Sequence, residues 1–182
     1  MVYVFLAEGF EETEAIVPVD ILRRGELEVA TVGVTGQVVT SSHGVPVVAD
    51  VLACEVMPDE TCQAVILPGG MPGTLTLEKR EKVKEFINWA KDNSVIIGAI
   101  CAAPSILGHM GLLENKEATC YMGFEEQLYG ANTKKAQVVR DGNIITACGA
   151  GAAFEFAFEL LTAITGSENE SRKNKKAIMI KE

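Results

Sequence analysis

Short apolar segments that alternate with helix-length segments restrict the fold of this chain more than any other feature. Five strands are predicted, at Val2–Leu6, Glu28–Val34, Ala64–Leu67, Val95–Ile100 and Asn143–Thr146. Helical patterns separate them, at Glu11–Arg24, Arg80–Asn93, Ala103–Leu112 and Ala150–Thr165. Continuously apolar strands between helices are typical of a parallel sheet that is covered on both faces. The sequence therefore predicts an α/β fold with a mostly parallel sheet.

Two segments and the tail depart from this alternation. Gln37–Val48 and Val138–Thr146 each contain two β-rich runs around a glycine, and both are predicted to form hairpins. The polar tail is predicted to be either a weakly ordered extension or a final docking segment. Because no linker or repeat interrupts the 182 residues, we expect one domain over residues 1–166 and a charged C-terminal extension over residues 167–182.

The composition argues against several classes of partner and cofactor. A net charge of −9 makes nucleic acid an unsuitable main partner. No apolar stretch approaches the ~20 residues of a membrane span, and the N-terminal residues lack the basic start of a signal peptide. Five cysteines without a CxxC pair, and only two histidines, argue against disulfides and zinc. We expect a cytoplasmic protein with free thiols, no metal and no other cofactor.

Cys101 lies at the corner between a predicted strand and a predicted helix. A residue at such a corner is held on a sharp turn, with its side chain above the edge of the sheet. Backbone N–H groups and the positive end of the following helix would stabilise a thiolate there and lower the pKa of the thiol. The alternative is a small apolar core residue, which describes most free cysteines.

Glu14 is the first candidate partner for this thiol. Its apolar neighbours Ala15, Ile16 and Val19 suggest a buried side chain, although acidic residues also occur at solvated helix starts. A buried carboxyl beside Cys101 would share a proton with the thiol, because burial raises the pKa of the carboxyl. The predicted result is a thiolate beside a neutral acid that can donate a proton and take it back.

Gly69 and Gly70 follow a buried strand and allow close approach of the backbone. Their N–H groups, with that of Ala102, could form an oxyanion hole, although such a pair is more often only a tight turn.

Histidine, the usual partner of a catalytic thiol, is not close in sequence to Cys101. His109 lies eight residues later, about 12 Å along a helix, and is predicted to be a surface or helix-end residue. His43 lies in the first hairpin and could reach a site only through tertiary or dimer contacts.

Four motifs taken together resemble the ThiJ/PfpI superfamily, and most closely its parkinsonism-associated deglycase branch, which is glyoxalase III-like. They are Leu6–Glu14, Val65–Gly70, Ala99–Pro104 and Gly149–Phe156. The resemblance extends to about Gly166. It implies a flavodoxin-like three-layer sandwich with a nucleophile elbow, usually assembled as a homodimer.

The resemblance also implies roles for individual residues. Cys101 matches the nucleophile and Glu14 the carboxyl that hydrogen-bonds it, while Gly70 and Ala102 match the backbone oxyanion donors, and Arg24 and His43 fall near the dimer interface and the pocket rim.

Three positions depart from the family pattern. Tyr121 stands where many members have a pocket histidine, so a third catalytic group is in doubt. Ala102 replaces the histidine of the peptidase-like branch, which removes the base that a peptidase needs. Cys148 replaces a larger polar residue and is either a second thiol near the pocket or a packing residue.

The activity implied by the resemblance is glutathione-independent conversion of the 2-oxoaldehydes methylglyoxal and glyoxal to hydroxy acids, or action on early glycation adducts. The alternative is a non-enzymatic redox sensor or chaperone in which Cys101 is oxidised. A cysteine peptidase or amidase is the third possibility, disfavoured by the missing histidine.

Overall fold

A computed structural model describes residues 1–180 and contains eleven strands in that range. They are β1 (Val2–Leu6), β2 (Val29–Gly33), β3 (Val38–Thr40), β4 (Pro46–Val48), β5 (Val51–Leu52), β6 (Ala64–Leu67), β7 (Ile96–Ile100), β8 (Glu117–Ala118), β9 (Asn132–Thr133), β10 (Val138–Asp141) and β11 (Ile144–Ala147). Seven of them form the central sheet in the order β10-β11-β7-β6-β1-β2-β5. Only β10 runs antiparallel to its neighbour in this sheet.

The helices are α1 (Glu12–Arg24), α2 (Gly73–Lys79), α3 (Glu81–Asp92), α4 (Pro104–His109), α5 (Ala153–Thr165) and α6 (Glu168–Ala177). In the part of the chain that the structure describes, no helix has the length and apolar character required to cross a bilayer.

Helices cover both faces of the sheet. On one face, Phe86 of α3 and Ile106 of α4 pack against strand residues. On the other face, Leu22 of α1 and Phe156 of α5 pack against the opposite side of the same strands. These side chains are buried because the strands are apolar on both faces. The predicted flavodoxin-like three-layer α/β sandwich is confirmed.

The five predicted strands lie within one residue of the observed β1, β2, β6, β7 and β11. Both hairpins are also confirmed. The first pairs β3 with β4, and the second pairs β10 with β11 around Gly142, whose φ is +65°.

Two helix predictions need correction. The helix predicted over Ala103–Leu112 is α4, which has six residues and is followed by a turn with Gly111 at φ +72°. The helix predicted to begin at Ala150 begins at Ala153, after one turn of 3-10 helix. Helix α2 was not predicted, because seven residues are too few for a clear amphipathic period.

The tail is a docked helix over the residues that the structure describes. Ser167 caps α6 by accepting a hydrogen bond from the Glu170 amide. Ser171 donates to the Phe158 carbonyl at 3.3 Å, and the Lys175 ammonium lies 5.1 Å from the Phe158 ring centroid. The docking alternative is therefore observed for this part of the tail. The last two residues lie outside the described residues, and the domain boundary at residue 166 stays a prediction.

Candidate active site

Cys101 forms a nucleophile elbow at the carboxyl end of β7. Its φ is +65°, a left-handed conformation that L-residues rarely adopt. Two hydrogen bonds hold this conformation: the Cys101 amide donates to the Ala147 carbonyl at 2.9 Å, and the Tyr121 amide donates to the Cys101 carbonyl at 2.8 Å. The elbow predicted from the sequence is therefore present, and Pro104 begins the helix that follows it.

Glu14 reaches this elbow from the first turn of α1. Its side chain is 1% exposed, and its carboxyl group hydrogen-bonds the thiol of Cys101 and the amide of Ala150. The Gly69 amide donates to Glu14 Oε2 at 2.9 Å. The Glu14 amide donates to Glu11 Oε2 at 2.7 Å, which fixes the start of the helix. Glu14 and Cys101 thus form the predicted pair.

The backbones of Ala102 and Gly70, the two predicted donors, lie near the Cys101 sulfur, and their hydrogen bonding opposes the rise in the pKa of its thiol. Their role as oxyanion donors stays a prediction. Gly70 has a φ of +90°, which favours glycine. At Gly69, a Cβ atom would lie 2.6 Å from the Cys101 Cβ and 2.7 Å from Glu14 Oε2, so only glycine fits between the two side chains.

Burial dominates the electrostatics of the pair. It raises the pKa of Glu14 to about 7, against the hydrogen bonds from Cys101, Gly69 and Ala150. Burial, followed by the charge of Glu14, raises the pKa of Cys101 to about 12. The direction for the carboxyl agrees with the expectation from the sequence, whereas the pKa of the thiol beside the Glu14 carboxylate is raised and not lowered. Two amides and a six-residue helix do not offset burial beside a carboxylate.

The pair nevertheless has a route to a thiolate. If the proton of Cys101 moves along the hydrogen bond to Glu14, the carboxylate charge that opposes thiol ionisation disappears. The neutral carboxyl then donates to the sulfur together with the amides of Gly70 and Ala102. Chemically, the arrangement can supply a nucleophile and a proton donor in the same step.

A cleft of about 750 Å³ lies next to the backbone that holds the pair, and its lining among the described residues includes neither Cys101 nor Glu14. Its lining includes Tyr121, Lys134, Lys135, Cys148 and Ala150. Since the Ala150 amide bonds Glu14 and the Tyr121 amide bonds Cys101, the backbone that holds the pair is also a wall of the cleft. Cys148 is partly buried there, and its role stays open.

The two remaining candidates lie apart from the pair. His43 is exposed in the turn between β3 and β4, and its Nδ1 lies 3.0 Å from Glu12 Oε1. Arg24 is the last residue of α1, ten residues and about 15 Å along the helix from Glu14, and it pairs with Asp20 at 2.8 Å. Arg24 is therefore not at the pocket rim, which corrects that expectation. A place for either residue at a dimer interface stays a prediction.

His109 is the last residue of α4, as predicted, and it bonds the side chains of Glu78 and Gln127. Within residues 1–180, one group of potential metal ligands is present, formed by Glu11, Glu12 and His43, whose ligand atoms lie within 4.8 Å of one another. The ion pair between Glu12 and His43 accounts for this proximity without a metal.

Sequence reasoning missed the amide of Ala150 as a partner of Glu14. The signal was available, because the run of small residues Gly149–Ala153 follows a predicted strand. Three adjacent parallel strands, β1, β6 and β7, bring Glu14, Gly69 and Cys101 to one edge of the sheet.

Comparisons with known proteins agree with this geometry. Residues 1–163 match the DJ-1/PfpI family. Protein DJ-1 homolog B of Arabidopsis thaliana is 37% identical over 166 residues, which cover 90% of this chain and 38% of the relative. Glutathione-independent glyoxalase DJR-1.2 of Caenorhabditis elegans is 32% identical over 163 residues, covering 88% of this chain and 86% of the relative.

Among solved structures, oxidized Toxoplasma gondii DJ-1 superposes with a TM-score of 0.92 at 31% identity, covering 98% of this chain and 97% of that chain. The chain spans about two fifths of the length of the Arabidopsis relatives it matches.

Proposed function

Because the chain belongs to the DJ-1/PfpI family, we propose that it is a glutathione-independent enzyme of the glyoxalase or deglycase type, acting on methylglyoxal, glyoxal or their early adducts. The observation that carries this proposal is the buried Glu14 carboxyl beside the thiol of Cys101, together with the pKa of that carboxyl, which burial raises to about 7. A carboxyl with such a pKa is half protonated at neutral pH and can act as both acid and base.

In the first step, Cys101 passes its proton to Glu14 and its sulfur attacks the aldehyde carbon of the substrate. Glu14 returns the proton to the alkoxide that forms, which gives a hemithioacetal. The amides of Gly70 and Ala102 stabilise the developing negative charge on this oxygen.

In the second step, Glu14 removes the proton from the former aldehyde carbon while the neighbouring carbonyl oxygen gains a proton, which gives an enediol. Glu14 then returns its proton to the neighbouring carbon, and the hydroxyl on the former aldehyde carbon loses its proton to become the thioester carbonyl. One carbon is oxidised and the other is reduced, so no external redox partner is required. The product is a thioester on Cys101, and water hydrolyses it to lactate or glycolate and the free thiol.

The cleft next to the backbone that holds the pair supports action on larger adducts as well. Its volume of about 750 Å³ lies within the range of drug-sized ligand pockets and far exceeds the needs of a 2-oxoaldehyde. A hemithioacetal or aminocarbinol adduct would present the same carbon to Cys101 with its remaining part in the cleft.

The direct test is lactate formation from methylglyoxal without glutathione. Wild type should turn over steadily, and Cys101→Ser and Glu14→Gln should each lose turnover by about 10²-fold or more. Cys148→Ser is the matched control for the nucleophile, because it changes a neighbouring thiol outside the pair. Absence of turnover in freshly reduced wild type would refute the proposal.

A redox sensor or chaperone is the second candidate, and the partial exposure of Cys101 favours it. Peroxide would oxidise the sulfur, and Glu14, Gly70 and Ala102 would hydrogen-bond the added oxygen. This role suits a reducing compartment such as the cytoplasm, which we retain as the proposed location. Steady turnover of methylglyoxal that depends on Cys101 would exclude a pure sensor. A peptidase is disfavoured because His43 and His109 bond other side chains.

A further inference from the structure

The two residues whose amides face the Cys101 sulfur share a second feature: a buried hydroxyl holds the carbonyl of each. Thr74 Oγ1 donates to the Gly70 carbonyl at 3.0 Å, and the Thr74 amide donates to the same oxygen at 2.9 Å. Ser105 Oγ donates to the Ala102 carbonyl at 2.7 Å, and the Ser105 amide donates there at 3.1 Å. Two separate loops of the site are therefore held in the same way.

The burial of these hydroxyls makes the bonds persistent. Thr74 is 1% exposed and Ser105 is 4% exposed. Water has little access to either hydroxyl, and a buried donor without its acceptor costs free energy. Each hydroxyl therefore restrains the carbonyl with which it is paired.

The restraint matters at these two residues because the amide of each must point at the sulfur. Gly70 has no side chain that could fix its unusual φ of +90°. Ala102 follows the left-handed Cys101 and precedes the helix, so neighbouring helical bonds hold only its carbonyl side. When the carbonyl group of a residue is held in place, fewer orientations remain for the N–H group of the same residue.

We propose that Thr74 and Ser105 are positioning residues that keep the Gly70 and Ala102 amides directed at the Cys101 sulfur and at an oxyanion formed there. Thr74 acts through Gly70, and Ser105 acts through Ala102. The oxyanion part rests on the proposed function, whereas stabilisation of the thiolate does not depend on it.

The test compares Thr74→Val and Ser105→Ala with wild type. The first readout is the second-order rate of Cys101 alkylation by iodoacetamide as a function of pH, followed by mass spectrometry of the peptide that contains Cys101. The second readout is kcat and KM for methylglyoxal. Thr165→Val is the matched control, because Thr165 Oγ1 donates to the Leu161 carbonyl at 2.7 Å at the far end of α5.

We expect each variant to slow alkylation of Cys101 about tenfold at neutral pH, to move its pH profile upward and to lower kcat with little change in KM. Thr165→Val should match wild type in the alkylation rate, its pH profile and kcat. Thr74→Ser should alkylate Cys101 at nearly the wild-type rate, because it keeps the hydroxyl. Urea unfolding of every variant separates a loss of stability from a change at the thiol.

The proposal is overturned if Cys101 of Thr74→Val and Ser105→Ala is alkylated at the rate seen in Thr165→Val. The hydroxyl-to-carbonyl hydrogen bonds would then be the common local kind found within helices, without effect on the thiol. It is also overturned if Thr74→Ser is as slow as Thr74→Val, which would indicate packing. Slow alkylation in the two variants, together with a wild type that does not convert methylglyoxal, would leave the positioning role intact and refute the proposed function.

Discussion

Replacement of Glu14 by glutamine should change the pH dependence of folding stability. The fold raises the pKa of this carboxyl from 4.5 to about 7. The native state therefore binds the proton more tightly than the unfolded state does. The corresponding stabilisation is complete below about pH 4.5 and is lost as the pH rises through 7.

The size of the effect follows from the shift. About 2.5 pKa units at 1.36 kcal/mol each correspond to about 3 kcal/mol of stabilisation, which wild type loses as the pH rises, most of it between pH 5 and 8. Glutamine is neutral throughout and does not carry this loss. The free energy of unfolding of Glu14→Gln, relative to wild type, should therefore rise by about 2 to 3 kcal/mol from pH 5 to pH 8.

Urea unfolding at pH 5, 6, 7 and 8 measures this difference, and any constant cost of the amide cancels in the pH dependence. Glu155→Gln is the matched control, because Glu155 is also the third residue of its helix but is exposed. If the gap between Glu14→Gln and wild type stays constant with pH, or follows that of Glu155→Gln, the assignment of a buried, protonated Glu14 is refuted.

Two further predictions follow from the packing. Gly69→Ala should lower methylglyoxal turnover by about 10²-fold or more, because the new Cβ would lie 2.7 Å from Glu14 Oε2. A Cβ at Gly151 would meet nothing within 4 Å, so the control Gly151→Ala should turn over methylglyoxal at nearly the wild-type rate. Equal activity of the two variants would contradict the geometry. Val48 is 68% exposed on the first hairpin, where it pairs with the exposed Val38. We expect these two side chains to lie at a homodimer interface that Val48→Glu weakens. If light scattering gives Val48→Glu and wild type the same mass at every protein concentration, this interface is refuted.

The sequence was sufficient to predict the sheet and the main pair of the site. Strands such as Ala64–Leu67 are apolar throughout, and their carboxyl ends meet at one edge because the strands are parallel. The pairing of Glu14 with Cys101 follows from that placement. The shared proton could be anticipated because a carboxyl between apolar neighbours is desolvated.

What the sequence could not predict depends on tertiary distances. The pKa of Cys101 is raised because of the degree of burial and the proximity of Glu14, and neither is encoded in the local run around the cysteine. The end of α4 depends on the turn at Gly111. Arg24 lies at the far end of α1 because the helix is continuous from Glu12, which places Arg24 about one helix length from the pair.

The groups that surround the Cys101–Glu14 pair come from four stretches of the chain, at Glu14, Gly69–Gly70, Cys101–Ala102 and Ala150. During synthesis, the last of these leaves the ribosome after Cys101 does. Until then Cys101 lacks part of its surroundings and reacts as an ordinary cysteine. The surroundings of the thiol are thus complete only once the loops that follow β1, β6, β7 and β11 have come together.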